Sequence, residues 1–336
     1  MGAPAVGPGR WVPDAARMAG VGETGTGTAD AITVPPPRDA ALLAVALAAV
    51  STSAPLIAAT AAPALAIACW RNLMAGGVLL PVALIRRHAE LRRLGRRQWA
   101  LCLLAGTLLA GHFATWVPSV TLTSVASSTA LVATQPVWAA LLARALGRQV
   151  RRPVWIGTGV AVVGAALLTG ADVSLSTRAL LGDLLATVGG ALAAAYVTVG
   201  GALRAPPRPD AEQPRQEMST TAYTTICYST CALLLLVLCI ATGQQLAGYP
   251  GVTWLKLAAL TAGAQLLGHS LVNVVLRTTS PTVVSLAILV EVPGAIGIAA
   301  IWLRQLPPAG TVPGLLVLLA GLALVIRSGA RAVPVE

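Results

Sequence analysis

"GHFATWVPSVTLTSVASSTALVATQPVWAALL", Gly111 to Leu142, and "GHSLVNVVLRTTSPTVVSLAILVEVPGAIGIA", Gly268 to Ala299, are two versions of one segment, related by a shift of 157 residues without a gap. Gly111/Gly268, His112/His269, Thr121/Thr278, Ser128/Ser285 and Pro136/Pro293 coincide, and further on so do Gly157/Gly314 and Gly164/Gly321. Composition alone does not produce this, because His and Pro are scarce within both spans. The chain reads as an internal duplication, and the copies are embedded in apolar runs long enough to span about 30 Å of hydrocarbon.

Ten such runs follow one another, near Ala41–Thr60, Ala64–Ile85, Trp99–Val117, Leu122–Leu146, Trp155–Gly170, Leu180–Leu203, Thr220–Thr242, Trp254–Leu276, Thr282–Leu303 and Val312–Ile326. With 56% hydrophobic and only 10% charged residues over 336 positions, this is the balance of a polytopic membrane protein, not of a water-soluble domain. The duplication pairs the third to fifth runs with the eighth to tenth, so each half holds about five helices. An odd number per half forces the halves into opposite orientations, which predicts an all-α integral membrane protein of about ten transmembrane helices in two inverted five-helix repeats. The first repeat is expected at 40–171 and the second at 172–336, with a cytoplasmic linker near 203–219. Residues 1–39, rich in Gly, Pro, Thr and Ala and lacking an apolar core, read as a disordered cytoplasmic tail and not as a signal peptide.

Charge placement fixes the expected orientation. Of the 23 Lys and Arg residues, Arg178, Lys256 and Arg304 fall on one side of the membrane and Arg71 lies inside a helix. The others gather in the tail, in "RRHAELRRLGRR", "RALGRQVRR" and "LRAPPRPDAEQPRQ", at Arg277 and after the last run. The positive-inside rule then puts both termini in the cytoplasm of a bacterial plasma membrane. The net charge of +11 thus reports topology, and no nucleic-acid partner is expected. Cys69, Cys102, Cys227, Cys231 and Cys239 all fall in apolar runs and read as small buried residues; no metal site, disulfide or cofactor is expected.

Polar residues inside apolar runs mark the candidate solute and ion pathway, because an ionised group at mid-membrane costs about 3 kcal/mol on insertion scales. Glu291 lies near the middle of its run, where it is expected to face the bundle interior and bind a cation or proton, or to tie helices together. Arg71, about 12 Å inward of Pro63 at the helical rise, is the natural counter-charge. With Asn72 it could hold a substrate carboxylate or simply neutralise Glu291. His112 and His269 are repeat mates suited to a proton relay or to interhelical bonds. Gln265, His269 and Asn273 form an i, i+4, i+8 stripe, matched by Leu108, His112 and Trp116. Ser124, Ser128, Gln135 and Trp138 share a face of the fourth run, and Tyr223 and Thr230 come from the seventh. Pro118, Pro136, Pro281 and Pro293 predict kinks.

The motifs "WRN" at Trp70, "HFATW…TSVASSTALVATQPVWAALL" from His112, and "GHSLVN" followed by "LVEVPGA" from Gly268 resemble the EamA-type permeases of the drug/metabolite transporter superfamily, from about Ala41 to Ile326. The resemblance implies ten helices in two inverted repeats and transport of small organic solutes. The sequence departs from the family pattern where Val292 separates Glu291 from Pro293, and where Arg148 and Gln305 stand in place of glutamates at two helix ends. The expected function is a secondary transporter, an exporter or permease for a metabolite such as an amino acid or amphiphilic amine, working by alternating access and driven by a proton or substrate gradient. A membrane enzyme using Glu291 and a histidine is the alternative, although no HExxH, GxSxG, paired acids or nucleotide loop is present. A passive channel is the third.

Overall fold

In hydrocarbon a backbone must satisfy its own hydrogen bonds, so apolar runs of this length become helices. The computed structural model describes residues 36–147, 149–173, 176–204, 218–275 and 287–329, and among them the secondary structure is helical with no strand. The helices are α1 (Pro37–Ser51), α2 (Ser53–Ala59), α3 (Ala64–Arg86), α4 (His88–Arg93), α5 (Arg96–Leu122), α6 (Val125–Val132), α7 (Gln135–Ala145), α8 (Arg152–Val173), α9 (Thr177–Arg204), α10 (Thr220–Ala241), α11 (Gly251–Leu260), α12 (His269–Val275), α13 (Glu291–Trp302) and α14 (Thr311–Gly329). Thr261–Gly268, between α11 and α12, is wound as a π-helix. Seven stretches among the described residues are long and apolar enough to cross a membrane, and Arg152–Leu168 and Glu291–Trp302 are shorter apolar helices. The expected tail, most of the linker, Arg148 and Pro281 lie outside the described residues.

Glycine sets the closest helix contacts. Helices α8 and α14 run antiparallel, with Gly157 against the backbone of Val325 and Gly321, Gly164 against Leu318, Gly314 against Leu168, and Gly321 against Ala161. Without a Cβ at these positions the two backbones touch, which is how helices gain van der Waals contact where lipid offers no hydrophobic drive. In a second crossing, α5 meets α9 through Gly182 on Thr123, Gly189 on Trp116 and Gly111 on Leu192. Gly268, the repeat mate of Gly111, takes Val50 of α1.

Proline decides where the fourth and ninth segments break. A proline lacks the N–H that would bond back four residues, and its ring collides with the carbonyl there. Pro136 and Pro293 thereby release the carbonyls of Val132 and Leu289. The chain turns at Ala133–Thr134 and at Leu289–Val290, with three-residue bonds from Thr134 N–H to the Leu131 carbonyl (3.1 Å) and from Val290 N–H to the Ala287 carbonyl (2.9 Å). Glu291 is therefore the first residue of α13, not the middle of an unbroken helix. Its small neighbour Gly294 seats α13 directly on Ser51.

At the other edges single polar groups close the bundle. Lys256 donates to the Ala59 carbonyl at 2.6 Å, placing a cation at the C-terminal end of α2 where exposed carbonyls favour it. Glu90 of α4 accepts from the N–H (2.6 Å) and hydroxyl (2.8 Å) of Ser219. Ser219 in turn caps α10 by accepting from Ala222 N–H.

Candidate functional site

A cavity of about 210 Å³ lies between the C-terminal half of α3, the N-terminal half of α10, and the π-helix with α12. Thr220, Thr224 and Tyr228 recur every four residues on α10 and form one wall, with Thr221 at its end. Gln265, His269 and Ser270 form the opposite wall, and Leu79 of α3 contributes an apolar edge. Hydroxyls, an amide and an imidazole share this lining with the apolar side chains of Leu79, Leu266 and Val274, which suits a solute with both a polar and an apolar part. The volume falls below the roughly 300–1,000 Å³ of drug-sized pockets and suits a small metabolite.

Behind Gln265 lies the most deeply buried cation of the described chain. Arg71 is 1% exposed, and its Nε donates to Gln265 Oε1 at 2.7 Å. Gln265 Nε2 donates to Asn72 Oδ1 at 3.1 Å, while Asn72 Nδ2 donates to the Ala68 carbonyl. The guanidinium carbon stands 4.5 Å from the centre of the Phe113 ring, a cation–π contact worth about 2 kcal/mol when desolvated. Arg71 Nη1 is buried with no hydrogen-bond partner among the described residues. A buried cation without an ion pair carries a desolvation cost of several kcal/mol. No ion pair joins Glu291 to Arg71 among the described residues.

Phe113 links Arg71 to a second cluster. His112 stacks on Trp116 at 5.5 Å and packs against Phe113 at 4.8 Å. The Nδ1–H of His112 donates to the Gly189 carbonyl at 2.9 Å, fixing the tautomer because a carbonyl only accepts, and tying α5 to α9. Trp116 Nε1 is buried without a partner among the described residues. Ser119 and Ser128 share a 2.6 Å hydrogen bond between α5 and α6. Thr134 is the repeat mate of Glu291. It donates to the Leu131 carbonyl and accepts from Trp138 Nε1, so the break in the first copy is closed internally. Gln135 begins α7, half-buried, and Gln305 accepts from Val125 N–H at the start of α6.

The structure thus joins Arg71, Asn72 and Gln265 in one network and places His269 on the same cavity as Gln265, although the π-helix between them alters the assumed four-residue spacing. The side chain of Asn273 lies outside the described residues. Tyr223 and Thr230 do not line this cavity. Tyr223 stacks on Tyr196 of α9 at 6.4 Å and Thr230 packs on Gly106 of α5. The α10 face that does line it, Thr220, Thr224 and Tyr228, shows in the sequence as the same i, i+4, i+8 stripe that singled out Gln265 and His269. The five cysteines are free and buried, and no group of three potential metal ligands occurs among the described residues.

Another protein's crystal structure superposes on this chain with a TM-score of 0.58 at 17% identity, covering 85% of this chain and 96% of that one, a likeness of fold. No curated protein matches in sequence. Residues 40–170, from α1 to the end of α8, match the family model described as the EamA-like transporter family. With its membrane-length helices, this chain is a multi-pass membrane protein, and its residues 40–170 are similar to the EamA-like transporter family.

Proposed function

We propose that the chain is a secondary transporter of a small organic metabolite, built as two inverted five-helix repeats that rock about a site between them. The observation that carries this reading is the pair of helix breaks at Ala133–Thr134 and Leu289–Val290, set by repeat-mate prolines, because interrupted segments at corresponding positions of two halves mark transporter binding sites. The contacts of α8 with α14 support the inversion. Applying the 157-residue shift to the Gly164–Leu318 contact returns Ala161–Gly321, and applying it to Gly157–Val325 returns Leu168–Gly314, as a two-fold axis in the membrane plane requires. Energy comes from a proton or substrate gradient, Glu291 and the Arg71 network line the pathway, and both termini face the cytoplasm, which places the cavity on the inner half.

Reconstituted vesicles test the reading: saturable uptake with counterflow supports it, whereas flux linear in concentration, without counterflow, identifies a passive channel. For topology, a single cysteine in Pro206–Gln216, with the native cysteines removed, is expected to resist impermeant thiol reagents in intact cells; ready labelling inverts the orientation.

A further inference from the structure

We infer that the cavity is a carboxylate subsite in which the ligand's anionic oxygens displace the Gln265 side-chain carbonyl from Arg71. This rests on the transporter reading for its purpose and on the local geometry for its chemistry. Among the described residues, every direct partner of the Arg71 guanidinium is neutral: the amide oxygen of Gln265 at 2.7 Å and the face of Phe113 at 4.5 Å. One donor, Nη1, has no partner among the described residues, and neither has Nε1 of Trp116, whose ring centre stands 6.4 Å from that of Phe113. The unmatched groups of this cluster are thus N–H donors, so its ligand must bring acceptors. A permanently charged guanidinium favours an anion, and its fork matches a carboxylate.

Gln265 is the connection between charge and cavity. The same side chain lines the cavity and holds Arg71, so one neutral amide separates an entering solute from the buried cation. An amide oxygen is a weaker acceptor for a guanidinium than a carboxylate oxygen, and it yields its place when a carboxylate arrives. The hydroxyl of Ser270 and the acceptor lone pairs of the Thr224 hydroxyl, whose proton goes to α10 carbonyls, are the lining groups offered to the rest of the solute. The ligand class is therefore a small carboxylate of about amino-acid size; an amine without a carboxylate lacks the anchor.

Benzoate and its neutral isostere benzamide test this on the purified full-length protein by calorimetry and thermal melting. Benzoate is expected to bind and raise the melting temperature, with benzamide at least tenfold weaker. Arg71→Gln is expected to lose benzoate binding at least tenfold. Gln265→Leu, which removes the internal competitor while Arg71 stays, is expected to tighten benzoate about tenfold, and it decides the matter if Arg71→Gln does not accumulate. Equal binding of benzoate and benzamide, or unchanged or weaker benzoate binding in Gln265→Leu, overturns the subsite. Benzoate binding without saturable flux of any carboxylate refutes the transporter reading and leaves the subsite. Saturable flux of a simple amine with no carboxylate binding does the reverse.

Discussion

Two glycines five residues apart on α8 are expected to respond oppositely to the same substitution. A Cβ on Gly164 would stand 2.5 Å from the Leu318 Cα and 2.8 Å from its Cβ, and closer still to its backbone nitrogen; a Cβ on Gly159 would meet nothing within 4 Å. Ordinary carbon contacts are about 3.5–4.0 Å, so Gly164→Ala forces α8 and α14 apart by about 1 Å, and no flexible side-chain end is there to yield. Overpacking of this kind costs about 1–3 kcal/mol, and a gap of that size forfeits a quarter to a half of the dispersion well along the crossing. Against this stands the helix-propensity gain of alanine over glycine, about 0.5–1 kcal/mol, which is all that Gly159→Ala experiences. The net expectation is a loss of about 1–2 kcal/mol for Gly164→Ala, or roughly 2–6 °C, and no loss for Gly159→Ala. The five buried thiols supply the assay, because a thiol-reactive fluorescent dye labels them only as the protein unfolds. Gly321→Ala, on the other side of the same crossing against Ala161, is expected to match Gly164→Ala. Equal melting temperatures for Gly164→Ala and Gly159→Ala would refute the close crossing.

Ser219→Ala removes the α10 cap and the group that Glu90 holds, so it is expected to cost about 1 kcal/mol; a double-mutant cycle with Glu90→Ala should show coupling above 0.5 kcal/mol, and strict additivity would argue against the clasp. His112→Ala breaks the bond to Gly189 and is expected to lower abundance and flux together, while His269→Ala, on the cavity wall, lowers flux with abundance near wild type; identical behaviour of the two histidines would contradict their different placement. Glu291→Gln is expected to keep its melting temperature while gradient-driven flux falls, since the acid has no ion pair to lose among the described residues and an amide exchanges no proton at physiological pH. Joint rescue of stability and flux by Arg71→Gln would instead reveal an ion pair between the two.

The positions of the helices were readable because hydrophobic length and helix formation are one constraint in a membrane: α3 begins at Ala64 and α10 at Thr220, where the apolar runs begin. The prolines were also visible, but their effect lies four residues upstream. Pro293 acts on the Leu289 carbonyl, and the chain turns at Leu289–Val290, so Glu291 starts a helix that hydropathy alone draws as continuous. The π-helix at Thr261–Gly268 had no such marker; nothing in "TAGAQLLG" distinguishes a wider turn from an α-turn, and its extra residue per turn redirects Gln265.

The site itself was half-readable, and the division follows a physical line. That a charge within an apolar run must face inward is a statement about one residue and the bilayer, so Arg71 and Glu291 could be chosen from the chain alone. Which partner answers that charge is a statement about two helices, and no rule of spacing contains it. Arg71 had an obvious opposite in Glu291, yet its guanidinium meets the amide of Gln265 and the ring of Phe113, the only phenylalanine in the chain. The same limit explains Tyr223, whose face of α10 turns to α9, while Thr220, Thr224 and Tyr228, carrying the same kind of stripe, turn to the cavity. A polar stripe shows that a helix has an inward face, but only the packed neighbour determines whether that face meets a solute or another helix.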